Sequence, residues 1–345
     1  MQLGVNHVEI ASPLRQLRTA NNDVAIQTVQ SQDSPGRVKL LGCASTGTTE
    51  ELGVKMRVSR DAMHRMHQTK AGAALRKLPP VAHVAQSWWS HTQSEYFRAV
   101  CSAIPAPSAP GSEGSAAPPV PVPSLDDVVA KLPELVLAGE EFSREMSQHC
   151  KTTKFLSYTA MKGSVGYQDI YAQILKNHRG HNLKMLEIGI GVNDPTAKSG
   201  MGKQHRPGAS LRGWCGYFPG AEVHGADVDP RCLVDSDQFK THLVDQRDPE
   251  SLENLAKKLG GGFDLIVDDG LHTPEANANV IAAFLPLLNR RGMMVIEDIQ
   301  PIFDSLWFEA HKYLPESYRV HYFPSSVLRQ FRGPSQVGIA VITQK

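Results

Sequence analysis

Phe263-Asp264-Leu265-Ile266-Val267-Asp268-Asp269-Gly270-Leu271-His272-Thr273-Pro274 reads as three pieces in succession. A buried strand runs to Val267, an acidic turn follows, and a helix starts at Thr273, with proline in its first position. The string Met293-Met294-Val295-Ile296-Glu297-Asp298 repeats the pattern of apolar strand and acids. Such apolar runs suit strands covered on both faces, as in a parallel sheet. If the two strands are neighbours, Asp269, Glu297 and Asp298 meet at the sheet's carboxyl edge, where open α/β sheets bind ligands. Three carboxylates repel one another unless a cation lies between them. A hard divalent ion, Mg²⁺ above all, takes oxygen ligands and leaves positions open for substrate.

Working outward, the pattern alternates strand and helix from residue 165. Helices are expected at Tyr167–Leu175, Leu211–Tyr217, Pro249–Leu259 and from Thr273 to about Asn289. Strands are expected at Met185–Ile188, Val223–Ala226, His242–Val244, Leu265–Val267 and Met293–Ile296. Tyr318–Phe323 and Val337–Ile342 are two strands with no helix between them. The fold class is therefore α/β: a doubly wound, Rossmann-like, mostly parallel sheet with an antiparallel C-terminal hairpin.

Upstream the reading thins. Residues 102–124 are mostly Pro, Ala, Ser and Gly and read as a semi-extended linker, leaving 125–345 as the sheet domain. Ser124 with Asp126 and Asp127 resembles a helix start, followed by Val128, Leu132, Leu135 and Leu137 at helical spacing. Residues 1–101 are poorly patterned and carry no assigned role. Lys55–Leu78 reads as a basic, partly amphipathic surface helix. Trp88-Trp89 and Tyr96-Phe97 form an aromatic cluster suited to a small core or to a homo-oligomer contact.

Composition narrows the function classes. With 36 basic and 35 acidic residues the net charge is +1, which offers neither nucleic acid nor an anionic membrane a footprint. No apolar run approaches the roughly 20 residues that span a bilayer. Five scattered cysteines without CxxC spacing argue against a disulfide framework and fit a reducing, cytoplasmic setting. An acid-poor start with Arg15 and Arg18 keeps an organelle transit peptide open.

The first strand of the α/β region ends in Leu186-Glu187-Ile188-Gly189-Ile190-Gly191, whose glycines let backbone pass close beneath a ligand. Position 194 is Asp, so the GxGxxG of dinucleotide binders is broken, and no P-loop motif is present. The second strand ends in Asp227, placed for ribose hydroxyls, and the third in Asp245-Gln246, placed beside an adenine. With Glu187 for an amino group, these positions match S-adenosylmethionine better than NAD.

In these segments, together with Gly208-Ala209-Ser210-Leu211-Arg212-Gly213-Trp214, Tyr217-Phe218-Pro219, Asp268-Asp269-Gly270-Leu271-His272 and Ile296-Glu297-Asp298, the chain resembles class I S-adenosylmethionine-dependent methyltransferases. More narrowly it is similar to the metal-dependent macrolide sugar O-methyltransferases of the mycinamicin and macrocin type, over roughly residues 150–345. The resemblance implies Asp269, Glu297 and Asp298 as metal ligands and His272 as general base. It implies Glu187, Gly189, Gly191, Ser210, Asp227, Asp245, Gln246 and Asp268 around the cofactor. Because successive strand residues face opposite ways, only one of Asp268 and Asp269 meets the metal, and the resemblance selects Asp269. Imidazole titrates near neutrality and suits a base that removes a hydroxyl proton.

The implied reaction is Mg²⁺-dependent methyl transfer to a hydroxyl of a small polyhydroxylated acceptor, a sugar or natural product. Trp307 and Phe308 stand where they could wall the acceptor pocket, or could belong to the core. Three departures stand out: leucine at 271 where the family has serine, a long Val192–Pro207 insertion, and Thr152-Thr153-Lys154 for the family's Thr-Asp-Lys. Competing readings are methylation of a macromolecule, an NAD oxidoreductase, and a noncatalytic scaffold that binds only the cofactor.

Overall fold

The computed structural model describes residues 25–30, 38–43, 49–52, 79–106, 122, 124, 132–149, 166–192, 194, 207–234, 236–328 and 337–345. Lys55–Leu78, Asp126 to Val128, Thr152-Thr153-Lys154 and most of the Val192–Pro207 insertion lie outside them. Two compact units divide the chain, residues 1–89 and 90–345.

In the first unit, β1 (Ala25–Gln30), β2 (Val38–Cys43) and β3 (Thr49–Leu52) pair antiparallel in that order. The sequence did not signal this sheet, because runs of four to six residues with weak alternation carry little periodicity. Helix α1 (Pro79–Ser102) contains the division point. From Ser90 onward it belongs to the second unit, where Phe97 is fully buried and meets Trp307 edge-on at 5.1 Å.

The second unit continues with α2 (Leu132–His149), α3 (Tyr167–Leu175) and β4 (Lys184–Ile188), then α4 (Ala209–Tyr217), β5 (Glu222–Asp227) and β6 (Phe239–Leu243). Next come α5 (Pro249–Leu259), β7 (Phe263–Asp268), α6 (Pro274–Phe284), β8 (Leu288–Ile299), α7 (Asp304–Glu309), β9 (Tyr318–Phe323) and β10 (Gly338–Gln344). The seven strands lie in the order β6-β5-β4-β7-β8-β10-β9. The first five are parallel, and β10 is antiparallel to both β8 and β9. The hairpin is thus entered backwards: β10 fills the place beside β8 and leaves β9 at the edge.

Local chemistry explains the boundaries. Helix α5 matches its expected span because Asp248 caps it, Pro249 opens it, and Gly260 closes it with φ +68°. Helix α6 stops at Phe284 rather than near Asn289, since Pro286 forces a tight turn and β8 begins at Leu288. Leu137, one of the apolar residues at helical spacing, is 69% exposed. The buried face is instead Gly139, Phe142, Ser143 and Met146, at i, i+3, i+4 and i+7. There Phe142 meets Tyr171 of α3 and Tyr217 of α4 in an aromatic core that also holds Trp214 and Phe218. Among the described residues no helix is long and apolar enough to cross a membrane.

Asp169 sits where α2 and α3 close on each other. Its Oδ2 accepts the Gly166 N–H at 2.7 Å, and a Cβ on Gly139 would overlap its Oδ1. Burial pushes this carboxyl up to about 7 against the Gly166 bond, with the charge of Glu140 adding to the rise. Unfolded, it titrates near ~3.9. The folded state therefore holds a proton that the unfolded state sheds as pH rises from about 4 to about 7, and stability falls across that window. Asp169→Asn should flatten this slope and stabilise the protein at pH 8 by about 1–2 kcal/mol, since relaxation absorbs part of the shift. Urea melts at pH 5 and pH 8 check it; equal slopes in both proteins would refute the assignment.

Candidate active site

Register brings the predicted groups to one edge. Asp268 of β7 stands opposite Ile188 of β4 on one side and Ile296 of β8 on the other. The turn after β7 therefore lies between the glycine turn after β4 and the acids ending β8. Gly189 has φ +92°, its N–H donates to the Ala226 carbonyl at 2.8 Å, and the Asp269 N–H donates to the Ile188 carbonyl at 2.8 Å. A Cβ at 189 would overlap the Asp269 carbonyl oxygen, so the close approach demands glycine.

Asp269, His272 and Asp298 offer ligand atoms that all lie within 4.8 Å of one another. His272 Nε2 is 4.0 Å from Asp269 Oδ1 and 3.7 Å from Asp298 Oδ2. His272 and Asp298 are the two non-glycine residues with positive φ among the described residues, +54° and +52°. Such backbone stores on the order of 1 kcal/mol or more and concentrates at functional sites. Two partly exposed carboxylates fit a hard divalent cation, and the imidazole stands within 4.8 Å of them.

Glu297, expected as a third ligand, is not in this group. It is 1% exposed, and its carboxylate accepts the Tyr171 hydroxyl from α3. The backbone leaves the extended conformation at Asp298, φ +52°, and the ladder to β10 shifts register there, so Glu297 stays buried against Tyr171 while Asp298 reaches the open edge. Tyr167, one turn earlier on α3, donates to Asp298 Oδ1 at 2.9 Å and accepts the Asp298 N–H at 2.8 Å. Burial together with the charge of these acids holds both phenols well above the usual tyrosine range.

Asp268 is fully enclosed rather than open to a ligand. Gln246 Nε2 donates to it at 2.6 Å, Asn277 Nδ2 at 2.8 Å and the Gly270 N–H at 3.4 Å. Burial raises its carboxyl, while Asn277, His272, Gln246 and Gly270 oppose the rise. Gln246 also accepts the Leu271 N–H at 2.7 Å, so Asp268 and Gln246 act as a clamp on the acidic turn.

On the other side, Asp227 Oδ2 accepts the Gly191 N–H at 3.0 Å, tying β5 to the glycine turn, and Oδ1 accepts the Asp229 N–H at 2.9 Å. Glu187 is buried and accepts the Trp214 ring N–H at 3.1 Å. Ser210 is the second residue of α4 and is 7% exposed. Asp245 lies nearer the surface in a two-point ion pair with Arg247. Trp307 belongs to the core, while Phe308 is 50% exposed against the edge of Tyr322. The supporting Tyr167, Tyr171, Asn277 and Trp214 were not singled out from sequence; helical spacing against the acids was the available signal for the two tyrosines.

No family model matches the chain. In sequence it is similar to mycinamicin VI 2''-O-methyltransferase of Micromonospora griseorubida, 32% identical over 131 residues, 37% of this chain and 30% of that protein. It is also similar to 8-demethyl-8-alpha-L-rhamnosyl tetracenomycin-C 2'-O-methyltransferase of Streptomyces olivaceus, 35% identical over 138 residues, 39% of this chain and 33% of that protein. Similarity to demethylmacrocin O-methyltransferase of Streptomyces fradiae is 32% over 131 residues, 37% of this chain and 30% of that protein. The matched part spans about a third of each relative's length. Among solved structures, MycE methyltransferase from the mycinamycin biosynthetic pathway, in complex with Mg and SAH, matches at 27% identity and a TM-score of 0.36, covering 46% of this chain and 39% of that one.

Proposed function

We propose that the unit 90–345 is an S-adenosylmethionine-dependent O-methyltransferase that uses a divalent ion, with Mg²⁺ first in line. Its acceptor is a hydroxyl of a small polyhydroxylated molecule, of the kind named for the relatives. The observation that carries this reading is the convergence of Asp269, His272 and Asp298 on one face, directly across the turn from Gly189. Bound at Asp269 and Asp298, the ion would supply charge that makes a coordinated hydroxyl more acidic. S-adenosylmethionine would supply an electrophilic methyl on its sulfonium.

The chain's own residues account for the rest. The Gly189–Gly191 turn gives a ligand close backbone approach, with Asp227 steadying that turn and within reach of a ribose. Ser210 and Glu187 stand beside it for the amino-acid end. Asp268 and Gln246 fix the acidic turn, while Tyr167 holds Asp298 and Tyr171 holds Glu297. His272 would take up the proton that the acceptor hydroxyl gives up when it is methylated. His272 Nε2 stands 4.0 Å from Asp269 and 3.7 Å from Asp298, beside the place where those carboxylates would hold the ion.

Thermal unfolding with S-adenosylhomocysteine, with and without Mg²⁺, and with NAD as control, tests the reading. At 100 times its dissociation constant the homocysteine ligand should add about 2.7 kcal/mol, a shift of a few degrees. A shift with NAD and none with the homocysteine ligand would sink it.

A further inference from the structure

A helix start leaves its first N–H groups without partners inside the helix. In α6 those that follow the cap Thr273 can be traced. Pro274 has no N–H, the Ala276 N–H donates to the Thr273 side chain at 3.3 Å, and the Asn277 N–H donates to the Thr273 carbonyl at 2.9 Å. That leaves the Glu275 N–H, which donates to Gln93 Oε1 of α1 at 3.0 Å. The same amide donates from Nε2 to Glu275 Oε2 at 3.0 Å. Gln93 is 7% exposed and 182 positions away in sequence.

One turn further along α1, the Tyr96 hydroxyl donates to Asn279 Oδ1 at 2.7 Å, and Asn279 Nδ2 donates to the Gln246 carbonyl at 2.8 Å. Gln246 in turn holds both Asp268 and the Leu271 N–H. Helix α1 thus reaches the acidic turn by two indirect routes. Gln93 completes the first turn of the helix that starts immediately after His272, and Tyr96 backs the residue that clamps Asp268.

We infer that Gln93, with Tyr96 behind it, is a positioning residue for His272 and Asp269. A residue from the far side of the Pro-rich stretch therefore sets the geometry of the proposed base and metal ligand. The inference rests on the methyltransferase reading for its kinetic consequence, but not for its structural one.

The test uses the full chain with Gln93→Met, which keeps side-chain volume and removes both hydrogen bonds, and with Gln93→Glu, which sets two carboxylates against each other. The pair Gln93→Glu with Glu275→Gln exchanges amide and carboxylate and restores both bonds. Unfolding temperature, the position of the His272 ring signals by NMR at one fixed pH, and Mn²⁺ affinity are measured in each. The two single variants should stay folded, displace the His272 signals and weaken Mn²⁺ binding, and the paired variant should return both toward wild type.

If the wild type also transfers methyl groups, Gln93→Met should lower kcat about tenfold with the KM for S-adenosylmethionine within about twofold, as misplacement of reacting groups does. Tyr96→Phe should do the same more weakly. A lowered unfolding temperature with unmoved His272 signals and unchanged Mn²⁺ affinity overturns the inference and leaves Gln93 a packing residue. If no acceptor is methylated and no homocysteine ligand binds, the methyltransferase reading fails, while the His272 signals still decide the inference.

Discussion

Asp269→Asn is expected to lower kcat/KM for methyl transfer by about 10³-fold, the loss typical when a charge aimed at the reacting centre is removed. The same substitution should leave the apo-protein as stable as before, or more so. Asp269 and Asp298 stand in one group whose ligand atoms lie within 4.8 Å, and without a cation their charges repel. In a partly exposed site that repulsion is about 1 kcal/mol, screened further by salt. Unfolding in chelator should therefore place the variant level with or above wild type, and Mg²⁺ should reverse the order. Asp298→Asn should lose activity alike, but it also disturbs the Tyr167 bond, so its apo-protein should gain less or lose stability. Glu297→Gln should instead cost stability with or without metal, because it disturbs a buried bond to Tyr171. If Asp269→Asn keeps the wild-type gain from Mg²⁺, Asp269 is not a metal ligand.

Gly189→Ala should be the most damaging small substitution in the α/β unit, destabilising by about 4 kcal/mol or more and abolishing homocysteine-ligand binding in whatever remains folded. Two costs combine. At φ +92° any L-residue is strained, and the added methyl would overlap the Asp269 carbonyl and come within 2.6 Å of Gly270 Cα. Backbone on both sides is pinned by strand-end hydrogen bonds of 2.8 Å, so neither can retreat. Gly260→Ala is the control: its φ is +68°, but nothing lies within 4 Å of the added carbon. Only the strain of about 1 kcal/mol should appear there. Denaturant melts compare the two, and equal losses would show that steric closure at 189 is not what glycine serves.

Legibility followed the kind of signal each residue carries. Capped helices and two-face-buried strands announce themselves, as Asp248-Pro249 to Gly260 and Phe263 to Val267 did. Edge strand β6 was read three residues late at its start, since its burial alternates irregularly at Phe239–Leu243. The two acidic pairs pointed to one edge of the sheet, but which acid of the second pair lies open was not legible, because it depends on a left-handed residue and a register shift at the end of β8 that apolar patterning does not mark. What stayed dark was the neutral scaffolding: Gln93, Asn277 and Asn279 make the bonds that hold the turn, and amides have no periodicity or charge to mark them. Contacts between residues more than a hundred positions apart, such as Tyr167 with Asp298, are set by topology alone.

The strand order has a consequence in time. On the ribosome β9 is made before β10, yet its place in the sheet is beside β10 and not beside β8. Until β10 emerges, β9 has no ladder to join and β8, the strand that carries Glu297 and Asp298, keeps one long flank of unpaired backbone. Such flanks recruit other chains, and non-local pairings form slowly. Aggregation during synthesis should therefore be governed by the interval between making β8 and making β10, an interval set by translation speed rather than by the stability of the finished fold.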